Sequence, residues 1–204
     1  MRPALSPRVR LVAGLALALA GAAPPPPAGA AEAPRVEEVK AAYVVNFLRY
    51  TEWPAASFEA AYSPFVVTVI GSDGVAEALE AIAERSAPIA GRPLVVNRQR
   101  LPGRRSWRYE NLLAELRRSH ALYLGEEVAE TSAAELFADL GEDAAVLTVG
   151  DRPGFAAAGG MIGLRRSGDR IVFDANTGAI KRTRLLVSAR VLRLARIVGG
   201  EAAS

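Results

Sequence analysis

The sequence predicts an α/β domain in which a mainly parallel sheet is flanked by helices, followed by a C-terminal β-hairpin and a closing helix. Two observations predict it. Short apolar runs rich in β-branched residues alternate with stretches of helical period, the pattern of a parallel sheet covered on both faces. After residue 160 that alternation gives way to two strand-like runs joined by a Gly-Asp turn. The chain has 204 residues, about half of them apolar, enough for one ordinary domain to bury a core without covalent staples.

A leader precedes the domain. Arg2, Arg8 and Arg10 come before an apolar run from Leu11 to Ala23, and Ala28, Gly29 and Ala30 form a small-residue cleavage site. Residues 1–30 therefore read as a secretory signal peptide and 31–204 as a single α/β domain. The apolar run is too short to span a bilayer, and Pro24 to Pro27 stand where a stop-transfer pattern would be. The leader arginines account for the whole formal charge of +3, leaving 22 basic against 22 acidic residues. Balanced charge and export argue against a nucleic-acid partner. The chain has no cysteine, which excludes disulfides and thiol catalysis, and its one histidine, His120, is too few for an ordinary zinc site. No metal or cofactor is expected.

The first element reads as a helix from about Val36 to Trp53, with Val36, Val39, Tyr43, Phe47 and Tyr50 on one face and Pro54 as its stop. Asn46 lies beside that face and reads as a buried amide bonded to a neighbouring loop, a ligand contact being the alternative. Phe65 to Ile70 reads as a buried strand that turns at Gly71-Ser72-Asp73-Gly74 into a helix, with Asp73 as N-cap and Val75, Leu79 and Ile82 inward. Pro88, Gly91 and Pro93 punctuate the return to strand Leu94 to Asn97. A helix near Tyr109 to Arg118 leads to strand Ala121 to Leu124. A helix from about Ala133 to Leu140 leads to strand Ala145 to Val149. Met161, Ile162 and Leu164 then face Ile171 and Phe173 across a turn at Ser167-Gly168-Asp169. The closing helix spans about Ser188 to Val198, with Val191, Leu194, Ala195 and Val198 inward. Arg190, Arg193 and Arg196 lie opposite, which makes it an ordinary amphipathic helix first and a membrane-surface helix second.

The residues assemble no recognisable catalytic set. Gly71 to Gly74 sits where an open α/β sheet binds ligands, yet matches no phosphate loop and reads first as a turn. It leaves open a small-molecule sensor that uses this loop. No Gly-x-Ser-x-Gly elbow is present, and His120 stands at the strand end opposite Ser72, so an envelope hydrolase is the weakest reading. Asp73, Glu126, Glu127 and Asp151 all follow strands, but a lysine is lacking at the strand end where a phosphoacceptor domain places one. Arg98, Arg100, Arg104, Arg105 and Arg108 fall in a stretch without acids, interleaved with Trp107 and Tyr109. They read as a solvated loop, with contact to an anionic surface as the alternative.

Three ordered stretches resemble the YfiR-like family of exported bacterial proteins. They are Lys40 to Tyr43 with Asn46-Phe47 and Glu52-Trp53-Pro54; Leu147 to Asp151 with Gly154-Phe155 and Gly159 to Ile162; and Ile171 to Phe173 with Asn176, Ser188, Leu192 and Leu194 to Arg196. The resemblance implies a non-catalytic periplasmic regulator, dimeric and of α/β fold. It would repress an inner-membrane diguanylate cyclase by acting on that enzyme's periplasmic part, and an outer-membrane lipoprotein would sequester it. Some members carry paired cysteines, one just before the histidine of the third strand, where this chain has Ser119, so redox control is not implied here. The residues expected to touch a partner are apolar positions that could stay exposed: Trp53, Phe58 and Phe155.

Overall fold

The chain alternates strand and helix in register with its apolar runs, and the result is a seven-stranded sheet. The computed structural model describes residues 33–199, so the proposed signal peptide lies outside the described residues. In chain order the elements are α1 (Val36–Arg49), β1 (Thr51–Glu52), a 3-10 turn (Ala55–Ser57), β2 (Phe65–Ile70), α2 (Asp73–Arg85), β3 (Leu94–Gln99), α3 (Trp107–Leu116), β4 (Ala121–Leu124), α4 (Glu130–Leu140) and β5 (Leu147–Gly150). They continue with β6 (Ile162–Ser167), β7 (Arg170–Asn176), α5 (Thr177–Lys181), β8 (Leu186–Val187), α6 (Ala189–Leu192) and β9 (Arg196–Val198). The main sheet has the order β3-β2-β4-β5-β6-β7-β9, and β1 and β8 form a separate two-stranded ribbon. All its neighbours are parallel except the hairpin β6-β7. The expected α/β architecture is present.

Strand order reverses between β2 and β4, so the helices divide between the two faces. α1 and α2 cover one face through Val44, Leu48, Val75 and Leu79, packed on Val67, Tyr123 and Val149. α3 and α4 cover the other through Leu112, Leu116 and Leu136, packed on Leu122 and Leu124. The hairpin turns at Gly168, whose φ of +60° suits the first position of a two-residue loop.

Several boundaries differ from the sequence reading, each because a distant partner claims the backbone. α1 stops at Arg49 rather than Trp53, since Thr51 and Glu52 pair with Val187 and Leu186. Its buried stripe is Ala41, Val44, Val45, Phe47 and Leu48, because it must meet both the sheet and α2; Asn46 consequently faces solvent and is not a buried amide. Ser72, not Asp73, is the N-cap of α2. The closing helix from Ser188 to Val198 is not formed. One turn, α6, gives way to β9, which adds to β7 in parallel, and Leu194 is left exposed. Arg196 is therefore no helix residue: its guanidinium clamps Asp174 at 2.6 and 2.9 Å, with Arg165 bonding the same carboxylate at 2.9 Å. Burial pushes the Asp174 carboxyl up, but the hydrogen bonds from the two arginines outweigh it and hold the group below the ordinary carboxylate value.

Between β5 and β6 no helix is present, and residues 151–160 form a run of turns on the α3/α4 face. Phe155 is the anchor of this loop. Its ring lies against the Cα positions of Gly150 and Gly160, so closely that a Cβ at either would overlap it. Gly160→Ala should therefore destabilise by about 1–3 kcal/mol, the usual cost of overpacking. Gly103→Ala, where a Cβ meets nothing, should stay within about 0.5 kcal/mol. Urea unfolding of the two variants checks this, and Phe155→Ala should remove most of the difference made by Gly160→Ala.

Candidate functional site

The amino end of the sheet is closed by an aromatic box around the single histidine. His120 directly precedes β4 and is 3% exposed. Its Nδ1 accepts from the Val66 amide at 3.1 Å. The proton must then sit on Nε2, which donates to the Ser57 carbonyl at 3.1 Å. The Phe58 ring stacks on the imidazole at 4.4 Å, and the Arg92 guanidinium covers the ring's other side at 3.7 Å. Trp53 packs edge-on to Phe65 and His120, and its indole N–H donates to the carbonyls of Ala145 and His120. Trp53 and Phe58 are thus half-buried members of the box, while Phe155 is 4% exposed in its glycine cradle. The three residues singled out as exposed contacts do not share a surface, and Phe155 has no exposed face to offer.

Burial holds the His120 imidazole below its ordinary value of 6.5, with the positive charge of Arg92 acting the same way against the raising effect of the Ser57 carbonyl. A base whose folded value is lowered binds protons more readily when unfolded. Stability should therefore fall as pH drops below 6.5 toward the folded value. Asp174, Glu80 and Asp139 have lowered values too, so their contributions are lost only below about pH 4. The urea midpoint should decrease between neutral pH and about pH 5 in the native protein. It should be nearly flat over that range, at a lower level, in His120→Gln.

The carboxyl end is closed differently. Asp151 follows β5, and its carboxylate is paired with Lys40 of α1 at 2.5 Å, with side-chain exposures of 5% and 17%. The lysine missing from the strand end is thus supplied by the first helix. Glu126 and Glu127, which follow β4, are exposed, whereas Asp151 is nearly buried against Lys40. Tyr123 Oη and Asp151 Oδ1 are buried beside this pair without a hydrogen-bond partner among the described residues. Burial and the neighbouring Asp151 charge push the Tyr123 phenol well above its ordinary value, so it stays neutral. The pair joins residues 111 positions apart, fastening α1 to the sheet. Asp151→Asn should cost about 2 kcal/mol by urea unfolding, below the ~3–5 of a fully buried pair because Lys40 keeps some water. Replacing both partners, Lys40→Met with Asp151→Leu, should restore most of it.

At the switch point itself the loop Gly71 to Gly74 packs closely on other parts of the chain, and Gly71 to Asp73 also border an open cleft of about 540 Å³ with Gln99, Arg100 and Ser132. Val128 packs on Gly71, the Gly125 backbone abuts Gly71, and the Glu37 side chain lies against Gly74. The positive start of α2 thus already faces Glu37 and Asp73. Ser72 and His120 cannot cooperate as nucleophile and base. His120 is level with Val66 across the sheet, six residues before Ser72, or roughly 20 Å along a strand.

The residues that make these closures lie within the span of a family model. The YfiR/HmsC-like family model matches residues 37–196. The chain belongs to the YfiR/HmsC-like family. No curated protein sequence matches it. Membership of this family supports a regulatory role in general terms. The residues on which the resemblance rests now have physical assignments: Lys40 and Asp151 form the clamp, Trp53 spans two strands, and Gly150, Phe155 and Gly160 form the cradle. Asn176 donates to the Ala156 carbonyl at 2.7 Å and accepts from the Ala179 amide, joining the loop to α5. Ser119, placed where some members carry cysteine, is buried and shares a 2.8 Å hydrogen bond with Thr68.

The surface feature that the sequence reading missed lies at the C-terminal side. Tyr50, Leu186, Leu194 and Ile197 are all exposed. Leu186 sits on the ribbon opposite Glu52, and the Ser188 amide bonds the Tyr50 carbonyl. Leu194 and Ile197 flank the start of the edge strand β9. The exposure of Leu194 follows from the helix that does not form.

Proposed function

We propose that this protein is a periplasmic regulator that represses an inner-membrane signalling enzyme, a diguanylate cyclase, by binding its periplasmic part. It acts as a homodimer, and an outer-membrane lipoprotein competes for it. The observation that carries this reading is a set of exposed apolar side chains, Tyr50 and Leu186 at the β1-β8 ribbon and Leu194 and Ile197 at the edge strand β9. Exposed apolar groups next to an unpaired strand edge suit a protein partner. Membership of the YfiR/HmsC-like family over 37–196 and the leader of residues 1–30 support the compartment and the class of role. The separation of Ser72 from His120 speaks against hydrolysis.

Deletion of the gene should raise cytoplasmic cyclic di-GMP, and only a copy that retains residues 1–30 should lower it again. The double variant Leu186→Asp, Leu194→Asp should fold with an unchanged urea midpoint yet fail to complement. An unchanged nucleotide level after deletion would refute the cyclase as target, and full complementation by the double variant would refute the surface.

A further inference from the structure

The arginine-rich stretch after β3 is the one sequence feature that the regulatory reading leaves unused. In the fold it is not a loose solvated loop. Arg104 is held by Asp139 through bonds of 2.6 and 2.7 Å and approaches Glu135 at 3.5 Å. The Tyr109 hydroxyl donates to the same Asp139 at 2.8 Å, and burial with that carboxylate pushes its phenol up to about 12. Ser106 caps α3. Arg98 is spent on Glu80. Arg100, Arg105 and Arg108 have no carboxylate within ion-pair distance among the described residues. A rigid frame therefore presents three unspent guanidinium groups.

Between β3 and α3, two of them, Arg100 and Arg108, border a cleft of about 670 Å³, within the size range of ligand sites. Gln99, Arg100, Trp107, Arg108 and Asn111 line it, and so do the carboxylates of Asp73 and Glu115. Trp107 is 70% exposed, with the Arg108 guanidinium 5.6 Å from its ring. Leaving an indole in water is unfavourable unless something covers it.

We propose that this cleft binds an acidic sugar chain of the uronate type. The flat indole suits the C–H face of a pyranose ring. The forked donors of Arg100 and Arg108 suit sugar carboxylates. Sugar hydroxyls, which donate as well as accept, satisfy Asp73 and the Asn111 amide. A bilayer surface fits worse, because the cleft offers a single exposed apolar side chain, Trp107, to insert. The site is separate from the Tyr50 and Leu186 surface, and the proposal rests on no part of the regulatory reading.

The test is titration of the purified protein with hexagalacturonate, followed by calorimetry and tryptophan fluorescence, with maltohexaose and phosphatidylglycerol vesicles as comparison ligands. Hexagalacturonate should bind and perturb the fluorescence, and maltohexaose should bind markedly more weakly. Trp107→Ala should weaken binding about tenfold, the scale of one lost aromatic contact. Arg108→Ala should weaken it and reduce its salt dependence. All these residues are exposed, so circular dichroism and the urea midpoint should not change. Absence of binding, equal binding by Trp107→Ala, or capture by vesicles without binding of the hexamer would each overturn the proposal. So would conversion of a dimer to a monomer by Trp107→Ala, since the indole would then be covered by a second copy.

Discussion

The sheet passes from its parallel half to its hairpin half through one contact, the Phe155 ring against Gly150 and Gly160. A βαβ unit ordinarily spends a helix to cross between parallel strands. Here the crossover from β5 to β6 is a run of turns, and a single aromatic ring supplies the apolar cover that a helix would bring. Only glycine on both sides lets the ring approach the backbone so closely. Once seated, the loop is joined to the last strand of the hairpin by Asn176 and to β5 by the Thr148 hydroxyl, which accepts from the Met161 amide at 2.9 Å. The chain's most ordered resemblance motif is thus a packing device.

The two ends of the sheet are packed by the chain itself in different chemistries. At the amino end a neutral imidazole lies between aromatic rings with both nitrogens satisfied. At the carboxyl end an ion pair and a neutral phenol fill the space, and the start of α2 already faces its own carboxylates. An open α/β sheet usually recruits a ligand at that second end. A cleft stays open there, bordered by Gly71 to Asp73, and two further surfaces lie at the edges of the sheet: the basic aromatic cleft beside β3 and the apolar surface beside β9. This division suits a protein that acts by contact.

The same closures set which groups respond to their surroundings. His120 is the chain's one histidine, and it is buried as the neutral form, which ties stability to mild acidification without any catalytic part for the imidazole. The Lys40–Asp151 pair couples the first helix to the loop that carries Phe155. Disturbing either partner therefore acts on both faces of the sheet.

By itself, the sequence determined the elements whose signals are local. β2, β4 and β5 are apolar runs bounded by turns, α2 and α4 carry an inward stripe of helical period, and the hairpin announces itself by Gly168-Asp169. The aromatic residues Trp53, Phe58 and Phe155 were legible as apolar and important, but not as interior, because residue type does not reveal which neighbours will cover a side chain. Only the tertiary structure decided the ribbon β1-β8, the strand β9 and the exposure of Asn46. Arg196 to Val198 is a strand because Asp174 to Asn176 offers it a ladder, and Thr51 is a strand because Val187 lies opposite. Short segments have no intrinsic preference strong enough to resist such a partner. The exposure of Leu194, part of the surface proposed to meet the cyclase, arises from the same cause: the helix period written in Val191, Leu194 and Val198 lost to hydrogen bonds that only the folded sheet could supply.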